Sequence, residues 1–294
     1  MDGAAFSQLV VTLPIALISL SVVAFTFSLI NPGLGLFMAI AWLLSGPLIF
    51  HRSVEAAIAQ RLLGMRQPTP QEAARLWTVW EQVTRRAGVN QGTYVLWVQE
   101  RAELNATAAA GHIVAVTRHA MDRLPNSQLA AVLAHELGHH VGGHTWAAML
   151  ADWYALPART VGRWIFAGLT GLLKSRNVVG VSCGGCLSLF ILWFLYVYTF
   201  EASMWWLVLP VMAAPLFITW LHRRAEHRAD DYAAGLGFGT QLMSVLAAEH
   251  QAQAGPGMHP PGTPPQSDHP AVRGAHTNFE ARLRHLQRVE AGRR

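Results

Sequence analysis

Five consecutive residues, His135-Glu136-Leu137-Gly138-His139, carry the chemistry most easily read from this 294-residue chain. On a helix, histidines at i and i+4 stand one above the other, so their ring nitrogens can meet a single Zn²⁺. The Glu between them reaches a water at the open coordination position and can take its proton. The bland alternative is a polar helix face with two solvated histidines, and the rest of the chain decides between the two. Glu226 and Asp230 form an i, i+4 carboxylate pair. Alone, that pair reads as a solvated, salt-bridged face, because Arg223, Arg224 and Arg228 are its neighbours. Beside a two-histidine set that lacks a ligand, Glu226 becomes the natural third one. Two His and one carboxylate with an open fourth position make a standard catalytic zinc set. Asp230, one turn on, is placed to accept the N–H of a ligating His and fix its tautomer. The cofactor implied is one Zn²⁺ per chain.

The elements that must hold these residues are unusually apolar. Charged residues make up only 13% of the chain and its mean hydropathy is +0.27. The runs Leu9 to Phe50, Asn177 to Phe200 and Ala202 to Leu221 contain no charge. A bilayer span needs about 20 such residues. Asn31-Pro32-Gly33 divides the first run into a helical hairpin. A signal peptide is the competing reading of the N-terminus, but no Lys or Arg precedes Arg52, so two retained spans are expected. The expectation is therefore four membrane spans. Thr160 to Leu173, short and interrupted by Arg163, reads as an amphipathic helix lying at the interface.

Basic residues flank the apolar runs on one side only: Arg52, Arg61 and Arg66, then Lys174 and Arg176, then Arg223 and Arg224. The positive-inside rule puts both termini and the His135 motif on the cytoplasmic side. This bias accounts for the net charge of +5, and no nucleic-acid partner is invoked. Cys183 and Cys186, interleaved with Gly184 and Gly185, read as small residues for close helix packing rather than as a redox or metal pair.

In the polar part, Ser53 to Ala87 reads helical and is split by Pro68-Thr69-Pro70, with Leu76, Trp77, Trp80 and Val83 as core. Tyr94 to Val98, Arg101 to Thr107 and His112 to Thr117 read as strands. Asn126 or Ser127 can cap the motif helix, and Gly142-Gly143 ends it. His222 to Leu236 reads as a helix, Gly255 to Pro270 as a Pro/Gly-rich loop, and Phe279 to Val289 as a short amphipathic helix.

This order of parts, a hairpin, H-E-x-x-H, a second hairpin, then E-x-x-x-D, resembles the HtpX-like integral membrane zinc metalloproteases. They share a superfamily with the type I CAAX prenyl endopeptidase. Leu104-Asn105-Ala106, Gly143-His144 behind the motif, and Arg224 to Asp230 carry the likeness, which covers roughly residues 50–290. The resemblance implies that His135, His139 and Glu226 bind zinc, that Glu136 is the catalytic base, and that Asp230 supports a ligand. It places Asn105 and Ala106 on an edge strand that pairs with extended substrate. Here Thr107-Ala108-Ala109-Ala110-Gly111 follows, where the family has an aromatic residue and then Gly. The family's C-terminal His-Pro is kept by His269-Pro270, while its His-to-Arg spacing is kept by His276 and Arg282. Either His would donate to the oxyanion, with Arg282 positioning it.

The expected fold is mainly α and multi-pass, with four transmembrane helices. A cytoplasmic α+β, zincin-like metallopeptidase domain with a small edge-stranded sheet completes it. Residues 1–50 and 177–221 would be membrane hairpins, with 51–176 and 222–294 the two parts of the peptidase domain. The expected function is hydrolysis of membrane or misfolded proteins, bound in extended form at the cytoplasmic face of a bacterial inner membrane. A site-2-type intramembrane protease, or a catalytically silent zinc-binding sensor or scaffold, are the alternatives. Substrate identity and oligomeric state are left open.

Overall fold

Proline, glycine and a few capping side chains set where the helices begin and end. The computed structural model describes residues 3–61, 63–100, 106–109, 111–175, 177–201, 203–254 and 279–293. Helix α1 (Gly3–Ser28) stops before Asn31, whose Oδ1 accepts from Gly33 N at 2.8 Å and Leu34 N at 3.4 Å. Pro32 then opens α2 (Pro32–Ser45), which tightens into a 3₁₀ turn at Gly46–Phe50. Helix α3 (Arg52–Arg61) and the short strand β1 (Met65–Arg66) precede α4 (Pro70–Ala87). Thr69 and Glu72 close a capping box at the start of α4, and Gly88 ends it at φ +67°.

Strands β2 (Val95–Gln99), β3 (Ala106–Ala109) and β4 (Ile113–Thr117) follow. Helices α5 (Arg118–Arg123), α6 (Asn126–Val141), α7 (His144–Leu173) and α8 (Val178–Tyr196) come next. The last are α9 (Trp205–Gly235), α10 (Gly239–Ala254) and α11 (Phe279–Ala291).

The chain divides into two units. One is made chiefly of Phe50–Trp146 and Thr219–Arg294. Its four-stranded sheet has the order β1-β2-β4-β3, with β2 and β4 parallel and the other pairs antiparallel. Among the described residues β3 is therefore an edge. Alternate residues of β2 and β4 serve two cores. Leu96, Val98, Val114 and Val116 join Leu76, Trp80, Val83, Leu129, Leu133 and Leu286. On the other face, Trp97, Ile113 and Ala115 meet Ala59 and Met65. Trp77, expected in the core, is 41% exposed: Leu76, Val79, Trp80 and Val83 take the buried face of α4, and position 77 is turned away from it.

The other unit comprises Phe6–Ile49 and Ala147–Ile218. Trp42 stacks on Trp153 at 4.6 Å, Trp153 Nε1 donates to Ser45 Oγ at 2.9 Å, and Tyr154 OH donates to Leu43 O at 2.6 Å. Pro157 lies inside α7, and the next amide, Ala158 N, donates to buried Ser19 Oγ at 3.1 Å. Thr160–Leu173 is thus the second half of one continuous 30-residue helix, not a separate element. Among the described residues, three helical stretches are long and apolar enough to cross a membrane: Phe6–Ser28, Pro32–Phe50 and Val178–Glu201. Large side chains on them, such as Phe25, Phe37, Phe190 and Trp193, face outward. The fourth expected span, Ala202–Leu221, is not among them. From Trp205 onward that run is the first half of α9.

Candidate metal centre

Helix α6 begins where Pro125 ends an extended segment, and the start is pinned from outside. Arg75 Nε donates to Asn126 Oδ1 at 2.8 Å, and its guanidinium also reaches the carbonyls of Met121 and Leu124. Asn126 was expected as a cap, but its oxygen serves Arg75 instead, and no side chain caps the helix. The carbonyl of Pro125 takes the amides of Gln128 and Leu129. Leu129, Leu133 and Leu137 are fully buried, which fixes the rotation of α6 and aims His135 and His139 away from the core.

Helix α9 lies directly against this face. A Cβ on Gly138 would come within 2.9 Å of the Ala229 Cα, so the two backbones touch with no side chain between them. Ala225, Ala229 and Ala233, all buried and four residues apart, present the matching smooth row on α9. This close approach brings α9's carboxylates to the histidines. Glu226 Oε2 lies 3.5 Å from His135 Nε2, and its Oε1 lies 3.4 Å from His139 Nε2. Ligand atoms from His135, His139 and Glu226 all fall within 4.8 Å of one another. The two imidazole rings meet edge to face at 4.9 Å.

Asp230, fully buried, holds the other nitrogen of His135, with Oδ1 at 2.9 Å from Nδ1. That contact leaves Nε2 as the nitrogen turned toward Glu226, the orientation a ligating His requires. Arg282, from α11, donates to both Asp230 oxygens (Nε to Oδ2 at 2.9 Å, Nη2 to Oδ1 at 2.6 Å) and lies 3.0 Å from Glu226 Oε2. Burial opposes the charge on Glu226, but Arg282 and the two histidines hold it well below the usual carboxylate range. Burial likewise opposes the charge on Asp230, and Arg282 and His135 keep it ionised. At His135, burial and Arg282 push the imidazole down, yet the hydrogen bonds to Asp230 and Glu226 raise it to about 9. Arg282 is held protonated against its own burial by Asp230 and Glu226, with Glu136 adding to the field. Two imidazoles and an ionised carboxylate, converging and mostly enclosed, suit a borderline-soft divalent ion.

Glu136 is buried beside the histidines on α6. Ala106 opens β3 at the sheet edge, and β3 packs beside α6. Asn105, His269, His276 and the Gly255–Pro270 segment lie outside the described residues. Two features escaped the sequence reading. One is the Gly138 contact, whose only sequence signal is the four-residue alanine spacing on α9. The other is His140, where burial pushes the imidazole down to about 4 and the neutral ring donates from Nε2 to Ile113 O at 3.1 Å.

The model of peptidase family M48 matches residues 70–290. The chain belongs to peptidase family M48. Proteases HtpX of Pseudomonas putida (strain GB-1) and Stutzerimonas stutzeri (strain A1501) are both 26% identical, over 204 and 213 residues respectively. These alignments take in 67% and 70% of this chain, and 62% and 67% of the relatives. The chain thus spans about 62% of the length of the first of these curated relatives. M48 peptidases are metalloproteases, and the matched region of this member runs from the first residue of α4 into α11. It contains His135, Glu136, His139, Glu226, Asp230 and Arg282 together, and leaves the α1–α2 hairpin outside.

Proposed function

We propose that this M48 member is a membrane-tethered zinc endopeptidase that cleaves extended segments of membrane or misfolded proteins at the cytoplasmic face. The observation that carries this reading is the convergence of His135, His139 and Glu226 within 4.8 Å, with Glu136 on the same turn of α6. His135, His139 and Glu226 would hold the ion. Zinc bound there supplies Lewis acidity, for which water and a scissile carbonyl are the substrates. Glu136 takes the proton of the attacking water and returns it to the leaving amine. Asp230 keeps the His135 tautomer fixed, and Arg282 keeps Asp230 and Glu226 ionised. A histidine from the C-terminal segment, His276 or His269, donates to the developing oxyanion.

Strand β3, which Ala106 opens, receives the substrate as an added strand, with Asn105, the preceding residue in sequence, part of the same subsite. The fold of this unit is read as zincin-like, and the apolar first half of α9 as a fourth span. That span returns the chain to the side where Arg52, Arg61, Arg66, Arg223 and Arg224 stand, which the positive-inside rule makes cytoplasmic. The resemblance to HtpX-like proteases and the proposed four spans favour protein quality control in a bacterial inner membrane.

The Glu136→Gln variant tests the chemistry. It is expected to bind zinc at the parent's stoichiometry while losing chelator-sensitive cleavage of unfolded β-casein. Cleavage at an unchanged rate would overturn the assignment.

A further inference from the structure

Two buried polar side chains converge on the backbone just before β4, and neither belongs to the metal centre. Glu55, on α3, is 1% exposed, and its Oε1 accepts from Gly111 N at 3.0 Å. Both its carboxylate oxygens lie 3.3 Å from His112 Nδ1. From the other side, His140 Nε2 donates to Ile113 O at 3.1 Å, and its ring leans on Tyr94 at 4.8 Å. Residue 111 is glycine at a crowded point: a Cβ there would sit 2.9 Å from Glu55 Oε1. Burying a carboxylate and an imidazole is costly unless each finds a specific partner. Here both are committed to three successive residues: the Gly111 amide and the His112 ring for Glu55, and the Ile113 carbonyl for His140.

Those residues lead into the strand that carries the sheet edge. Ala109 pairs with Ile113, and Ala106 with Val116, so the position of β4 sets the register of β3. His140 follows His139 directly on α6. Its bond to Ile113 is thus a direct tie between the helix of the H-E-x-x-H motif and the end of the β3–β4 pair. A strand-pairing substrate binds through the backbone groups of that edge, so an edge that shifts or frays loses affinity for it.

We propose that His140 and Glu55 are positioning residues that clamp the β3–β4 pair to α6 and α3, and so fix the height of the substrate-binding edge over the metal centre. The proposal rests on the reading that β3 receives extended substrate. It assigns the clamp no part in holding metal or moving protons.

The test uses the full chain in detergent micelles, zinc-loaded, with His140→Leu and His140→Gln compared with the parent. Gln keeps an N–H donor of similar reach. Loss of one buried hydrogen bond predicts a rise in KM for β-casein of about tenfold in His140→Leu, with kcat little changed. His140→Gln is expected to restore most of the parent's KM. Zinc affinity, measured by competition with a chromophoric chelator, stays at the parent's value in both variants. Amide hydrogen exchange supplies the readout that needs no turnover: residues 106–117 exchange about tenfold faster in His140→Leu, while the 135–139 segment keeps its protection. Unchanged exchange in 106–117 overturns the clamp, as does a kcat loss at constant KM. If the parent shows no Glu136-dependent cleavage, the peptidase reading falls, and the exchange pattern still decides whether His140 holds the sheet edge.

Discussion

At the scale of single residues, the site is a set of mutually dependent charges. Arg282 bridges Asp230 and Glu226, so Arg282→Met leaves their two carboxylates facing each other with only the histidines beside them among the described residues. Breaking such a buried pair costs about 3–5 kcal/mol. The variant's metal-free form is expected to melt well below the parent's, and added zinc to recover more stability in it than in the parent. Equal gains from zinc in both proteins would contradict this. His140 gives a pH dependence of known sign. Its folded value of about 4 lies below the ordinary 6.5, so only the unfolded chain takes up its proton as pH falls. The stability it contributes is complete above 6.5 and lost progressively toward pH 4. His135, raised to about 9, acts oppositely and above 6.5, so it does not mask this window. His227, also lowered by burial, shares the sign of His140, and the comparison of variants separates them. Melting of the metal-free parent should fall between pH 6.5 and 4.5, and His140→Leu should show a shallower fall. The His135–His139 pair was legible because helical spacing is local. The partnership of Arg282 with Asp230 spans 52 positions, and no local pattern encodes it.

At the scale of elements, the decisive contact is backbone on backbone between α6 and α9. A methyl group at position 138 meets the Ala229 Cα at 2.9 Å, and a helix backbone cannot move aside as a side chain can. Gly138→Ala is expected to push Glu226 away from the histidines and weaken zinc binding by about tenfold or more, without altering any ligand. Gly162→Ala, where nothing lies within 4 Å, serves as the control and should leave zinc affinity unchanged. Equal affinities for parent and Gly138→Ala would show that the contact relaxes freely. Strands Tyr94 to Val98 and His112 to Thr117 were readable from β-branched content, and the helix after His222 from its period. Its continuity with the apolar run was not: α9 runs as a single 31-residue helix from Trp205 to Gly235, through Pro210 and Pro215, which local rules read as helix stops. β1 is only two residues long and left no periodic signal. α10, an apolar-rich segment after Gly239, lies between the parts that carry chemistry and was passed over.

At the scale of the whole molecule, hydropathy and charge asymmetry make a testable map. A Gly33→Cys variant places a thiol at the tip between α1 and α2. It should react with a charged maleimide from the extracytoplasmic side only, whereas Arg61→Cys should react only once the cytoplasmic side is opened. The reverse pattern would invert the proposed orientation. Native Cys183 and Cys186, exposed on apolar α8, should stay unlabelled until the membrane is dissolved and the chain denatured. Ala147–Leu173 reads from its sequence as a polar-domain helix with an interfacial tail. Trp153, Tyr154 and Ala158 bind it instead to residues of α1 and α2, and such tertiary partners leave no trace in local spacing.

The same map shows an inversion of sign. The molecule carries a formal net charge of +5, yet the polar cluster of the metal centre sets three carboxylates, Glu136, Glu226 and Asp230, against one guanidinium. Two negative charges remain, the balance that one divalent ion restores to electroneutrality. The proton on His135 and that ion compete for the same deficit, so uptake of the ion should expel the proton. A monovalent cation would leave the interior unbalanced, and a trivalent one would overshoot it.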